Sequence, residues 1–148
     1  MMHRMALAIV SLAFFAFHAA AAFAGTVAVI VNSSNEHKSM SAGEIRGLYT
    51  NAVLAWPDGT PVTLYDLAIS DPVRSVFSEA VLSKSPMKAA EEWAHLKITN
   101  QAKNPPIAIK SEALIVRRVS REKGAIGYVT LEAARQKEGV RIVNIFQN

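Results

Sequence analysis

The chain has 148 residues, 16 Lys and Arg against 12 Asp and Glu, a formal charge of +4 and no cysteine. This length supports one packed domain rather than two, and the missing thiols exclude a disulfide framework, a thiolate metal site and a cysteine nucleophile. The basic residues are spread along the chain without interleaved aromatics, which excludes the stacking and phosphate-tracking surfaces of nucleic-acid binders.

Residues 1–24 read as a signal peptide. Met1-Met2-His3-Arg4 is a short basic head, Met5 to Phe17 is almost wholly apolar, and Ala22-Phe23-Ala24 has the small-x-small pattern of a cleavage site. Cleavage is expected before Gly25, giving a periplasmic domain over residues 25–148. The apolar run is too short for a membrane span, and no Cys follows it to carry a lipid anchor.

Val27 to Val31 is a continuous apolar run, which predicts a strand buried on both faces, as in a parallel sheet. Asn32-Ser33-Ser34-Asn35 ends it in turn residues. Ser41-Ala42-Gly43-Glu44 has the form of a capping box and predicts a helix whose Ile45, Leu48 and Tyr49 face the sheet. Trp56-Pro57-Asp58-Gly59 closes a loop with a tight turn, and Val62 to Tyr65 reads as a short strand. Val73, Val76, Phe77, Ala80 and Val81 then recur at helical spacing.

Ser85-Pro86 predicts another helix, with Met87, Ala90, Trp93, Ala94 and Leu96 as its apolar face. Asn104-Pro105-Pro106 breaks the chain, and Ile107 to Ile109 reads as extended. Ser111 caps a helix through Val119, Ala125 to Val129 is strand-like, Thr130 caps a helix stopping at Gly139, and Val140 to Phe146 is a last strand. Strands alternating with helices indicate an α/β layered domain with a mostly parallel or mixed sheet flanked by helices.

The stretch between the Val62–Tyr65 strand and the following helix is the first candidate site. Ser70 or Asp71 suits the N-cap, Pro72 suits the first turn, and a strand running into a helix N-terminus presents amides that favour anions. His37 and His95 are the only histidines after residue 24 and stand far apart in the sequence, so no metal site is expected. Glu91-Glu92 diverge by about 100° on a helix and read as a solvated face rather than an acid–base pair. Trp56 and Tyr128 read as cleft-lining or packing residues, and Gly127 as a point of close approach. No nucleophile elbow, phosphate-cradling glycine loop or Ser/His/Asp arrangement is present. The expected class is non-enzymatic, without cofactor or metal.

Four segments in order resemble the phosphate-binding-protein family of periplasmic receptors for ABC transporters, in its second half. They are Val27 to Asn32, Met40 to Tyr49 with Trp56-Pro57-Asp58-Gly59, Val62 to Phe77, and the hexapeptide Gly124-Ala125-Ile126-Gly127-Tyr128-Val129. The resemblance implies a type 2 periplasmic-binding fold, here a single lobe, and a phosphate-contacting turn within Val62 to Phe77. The family's turn carries an arginine and small hydroxyl residues. Here Asp66 stands near the arginine's place and Ser70-Asp71-Pro72 replaces the serine-glycine-threonine, leaving Ser70 as the matching residue and Arg74 as a substitute cation.

The resemblance therefore implies a solute-binding-like protein taking a phosphate-like oxyanion weakly. Its candidate ligand residues are Asn32, Ser33 and Ser34 from the first turn, with Ser70, Asp71 and Arg74 from the second, at the open ends of the strands. The alternative is an interaction or regulatory module without a small-molecule site, bound to an ABC transporter or a membrane sensor.

Overall fold

The Val27–Asn32 run forms strand β1, buried along its whole length. The structure is a computed structural model and describes residues 25–147; the expected signal peptide lies outside them. β1 sits between β4 (Ala125–Thr130) and β5 (Val140–Phe146), while β2 (Thr63–Asp66) and the two-residue β3 (Ile107–Ala108) complete the sheet. The order is β3-β2-β4-β1-β5. β2 runs parallel to β3 and β4, but β1 is antiparallel to both its neighbours. The sheet is mixed, as the α/β reading allowed, and the parallel setting expected for β1 is corrected. A continuous apolar run reports a strand covered on both faces, and helices on either side of a central strand produce that in any direction.

Local signals place the helices. In α1 (Ala42–Tyr49), Ser41 Oγ accepts from the Glu44 amide at 3.2 Å and Glu44 Oε2 accepts from the Ser41 amide at 2.7 Å, the reciprocal capping box. Ile45, Leu48 and Tyr49 are buried. Asp71 caps α2 (Pro72–Phe77), which runs on into one π-helical turn over Ser78–Leu82. Val73, Val76, Phe77 and Val81 are buried as their spacing predicts, and Ala80 is half-buried.

Helix α3 (Pro86–Ile98) starts at the expected Ser85-Pro86 but is rotated from the expected face. Met87 is 55% exposed and Ala94 is exposed, whereas Pro86 and Ala89 are buried and Trp93 and Leu96 half-buried. The Trp93 indole donates to the Tyr49 carbonyl at 3.2 Å, which sets the rotation and brings the 86/89/93/96 row inward. Helix α4 (Glu112–Arg121) buries Ile115 and Val119. Helix α5 (Leu131–Ala134) is shorter than expected, because Arg135 is already extended at ψ 135°.

Alternation along β4 separates two layers. Ile126 and Tyr128 face α1 and α2, and Gly127 faces α4. A Cβ on Gly127 would lie 2.6 Å from Ile115 Cγ2, so α4 rests on bare backbone there. At Gly124 a Cβ would fall 2.1 Å from the Pro61 carbonyl oxygen, and Trp56 Nε1 donates to the Gly124 carbonyl at 2.9 Å. The hexapeptide's two glycines are therefore points of close approach. Trp56 and Tyr128 are buried packing residues, and the edge of Trp56 also forms part of the wall of a small surface pocket with His37, Asp58 and Lys123.

Candidate functional site

The sheet's mixed directions decide which predicted residues can meet. Val31 of β1 and Leu64 of β2 both pair with Ile126, yet their strands run in opposite directions. The turn after β1 thus lies at one end of the sheet and the turn after β2 at the other, separated by about 17 Å at ~3.3 Å per residue. Asn32, Ser33 and Ser34 do not converge with Ser70, Asp71 and Arg74. The single joint site expected from the sequence is corrected on this topology.

At the first end, Asn32 ties the fold together. Its Nδ2 donates to the Val119 and Ser120 carbonyls at 2.9 and 3.2 Å, closing the end of α4. Its Oδ1 accepts from the Ser34 amide at 2.9 Å and from the Ser34 hydroxyl at 2.6 Å. The Ser33 amide donates to the Gly139 carbonyl at 2.9 Å. These groups are engaged within the fold. His37 stays local too, its Nδ1 3.0 Å from Asn35 Oδ1 and its ring against Trp56.

At the other end, β2 delivers Asp66 and α2 delivers Arg74 to one buried cluster. Asp66 Oδ2 pairs with Arg74 Nη2 at 3.1 Å, with the side chains 12% and 9% exposed. Asp66 Oδ1 accepts from the Leu67 amide at 2.9 Å and from the Tyr128 hydroxyl. Arg74 Nη1 donates to the Leu67 carbonyl at 2.7 Å, and its Nε is buried without a hydrogen-bond partner. Burial pushes the Asp66 carboxyl above its ordinary range, against the opposing pull of Tyr128, Arg74 and the Leu67 amide. Outside the cluster Ser70 is exposed, and Asp71 Oδ1 accepts from the Val73 amide at 2.9 Å. A guanidinium, a phenol and a backbone amide, the donors an oxyanion would use, are already filled by a carboxylate of the protein itself.

An aromatic stack backs this cluster. Phe77 lies on Tyr128 with ring centroids 3.9 Å apart and planes 4° apart, and Tyr49 meets Phe77 edge-on at 4.9 Å. Sequence reasoning missed the Asp66–Arg74–Tyr128 cluster. The available signal was the alternation of β4, which puts Tyr128 opposite Gly127 and so on the α2 face.

All three tyrosines are held protonated beyond their usual range. Burial raises Tyr49 and Tyr128 well above it, the Asp66 charge adding to both, and burial with Glu122 pushes Tyr65 up to about 12. An unfolded phenol ionises near pH 10. The unfolded chain therefore releases these protons first, and stability present below about pH 10 falls as pH rises beyond it. Absorbance titration at 295 nm should show no tyrosinate at pH 10 while the fold persists. Three ordinary titrations near pH 10 would contradict the burial described.

No family model matches the chain, and no curated protein matches it by sequence. Solved structures do. An ABC-type phosphate transport receptor from Vibrio cholerae matches 82% of this chain and 47% of its own at TM-score 0.62 and 12% identity. A Clostridium perfringens structure with bound phosphate, described as a phosphate ABC transporter substrate-binding protein, covers 82% and 46% at TM-score 0.63 and 20% identity. PstS from Borrelia burgdorferi covers 81% and 47% at TM-score 0.58 and 18% identity. The chain has the phosphate-binding-protein-like fold. It spans about half the length of these receptors and corresponds to one periplasmic-binding-protein-like lobe. Among the described residues, no helix is long and apolar enough to cross a membrane.

Proposed function

We propose that the chain is an exported, non-enzymatic binding module that uses a phosphate-receptor-like lobe for contact with a protein, a transporter or membrane sensor, instead of for capture of free phosphate. In this reading residues 1–24 direct export and residues 25–148 form the periplasmic domain. The observation that carries it is the closed state of Arg74. The one cation in the turn resembling the family's anion site is 8% exposed and paired with Asp66.

What remains for an anion is weak. Ser70 offers one exposed hydroxyl, and α2 is a six-residue helix already capped by Asp71. A helix dipole contributes about 0.3–1 kcal/mol at an exposed site. A carboxylate about 4 Å from a bound anion opposes it by roughly 4 kcal/mol at an effective dielectric near 20. Meanwhile the tip of the turn is apolar: Ile69 is 42% exposed beside Ala68, as suits a contact surface.

Calorimetry with phosphate and sulfate at low salt tests this. Binding weaker than about 1 mM, an affinity of about −4.1 kcal/mol, is expected. Micromolar phosphate binding by a verified monomer would overturn the reading in favour of a solute receptor.

A further inference from the structure

The basic side chains are concentrated toward the C-terminal end of the chain. Residues 110–141 carry eight Lys and Arg against four acidic residues, whereas residues 25–109 carry seven against eight. On the outer face of α4, Arg117 and Arg121 stand one turn apart and form a ridge. To one side a groove of about 390 Å³ runs between α4 and α5, with Ala113, Val116 and Ala133 as its apolar floor and Lys137 on its rim. To the other side a second groove of about 360 Å³ reaches Leu114, which is 41% exposed.

The ridge lacks internal counter-charges. Arg118 reaches Glu122 at 3.8 Å and Lys123 reaches Asp58 at 3.3 Å, but Arg117, Arg121 and Lys137 pair with no carboxylate among the described residues. Nearby acids are engaged or outside the main groove. Glu112 accepts from the Thr130 amide, Glu122 also takes the Tyr65 hydroxyl, and Glu132 and Glu138 do not line it. Guanidinium groups above an apolar floor suit carboxylates carried on a partner with an apolar stripe.

We propose that this α4–α5 surface docks an acidic, apolar-striped segment of a protein partner. The proposal rests on the protein-contact reading above and supplies the partner's chemistry. A bilayer fits less well, because no aromatic residue lines either groove.

The test is an amide-resolved NMR titration of the protein with a synthetic helical peptide carrying a leucine stripe flanked by glutamates. Its twin with lysines in place of the glutamates and vesicles containing anionic phosphatidylglycerol form the other arms. The glutamate peptide should shift Ala113, Val116, Ser120 and Ala133 at submillimolar concentration. Arg117→Glu with Arg121→Glu should weaken it at least tenfold with an unchanged urea midpoint, and the milder Arg117→Gln with Arg121→Gln serves if the first variant misfolds. Absence of groove shifts, equal binding of the lysine twin, or indifference to both variants would overturn the proposal. So would vesicle binding that depends on the arginines without peptide binding. Phosphate in the same samples separates the two readings: silent phosphate with no groove shifts fails this proposal alone, and micromolar phosphate without peptide binding fails both.

Discussion

Asp66→Ala is expected to destabilise the fold by about 3–5 kcal/mol, the usual loss when one partner of a buried ion pair is removed. The loss comes mainly from what remains. Arg74, 8% exposed, keeps its Leu67 carbonyl but loses its counter-charge, and the Leu67 amide and Tyr128 hydroxyl lose their acceptor. Its Nε is already without a partner, so the guanidinium has no spare bond to fall back on.

Two further measurements separate this mechanism from simple cavity formation. Combining Asp66→Ala with Arg74→Met should recover much of the stability, since replacing a whole buried pair with apolar groups is often neutral or better. Formate, small enough to stand in for the missing carboxylate, should raise the urea midpoint of Asp66→Ala and leave the wild type unchanged. A single-variant loss below about 1 kcal/mol, the scale of surface substitutions, would mean that Arg74 turns to water and is open to an anion. That result would also weaken the protein-contact reading of the lobe.

The α/β class and most elements were legible because their signals are local. Ser41 with Glu44, Ser85 with Pro86, and Asp71 with Pro72 each mark a helix start through groups a few residues apart. Strand direction has no such local mark. The apolar run Val27–Val31 is the same whether β1 is parallel or antiparallel, and its direction is set by pairing with Ala125–Thr130 and Val140–Phe146, about a hundred residues away in sequence. The misplaced joint site follows from that one ambiguity, because reversing β1 sends Asn32 to the far end of the sheet.

The Asp66 cluster was hidden for a related reason. Asp66 and Arg74 are close in sequence, but their burial depends on Tyr128 arriving from β4 and on Phe77 covering it. A carboxylate in an anion-binding turn reads from sequence as a group repelling a ligand. In the folded chain it is the internal ligand of that turn. The face of α3 failed through the same kind of dependence, since one hydrogen bond from Trp93 to Tyr49 sets its rotation.

The second large effect is expected at Phe77. It is 1% exposed, and its ring lies flat on Tyr128 while meeting the edge of Tyr49. Phe77→Ala removes the ring from a site fixed by β4 below and α1 beside it, where collapse is restricted, so a loss of about 3–5 kcal/mol is expected. Of this, about 0.5–1.5 kcal/mol belongs to the aromatic contact itself. Tyr128→Phe keeps that stack and deletes only the hydroxyl, leaving Asp66 short of one donor, for which about 1–3 kcal/mol is expected. Because the two rings touch, a cycle of wild type, Phe77→Ala, Tyr128→Leu, which removes the stack, and their double variant should depart from additivity by more than about 0.5 kcal/mol. Urea unfolding of the four proteins measures this directly. Additive losses would show that Phe77 and Tyr128 stabilise the lobe separately, and a loss below about 1 kcal/mol for Phe77→Ala would place the inner face of α2 elsewhere.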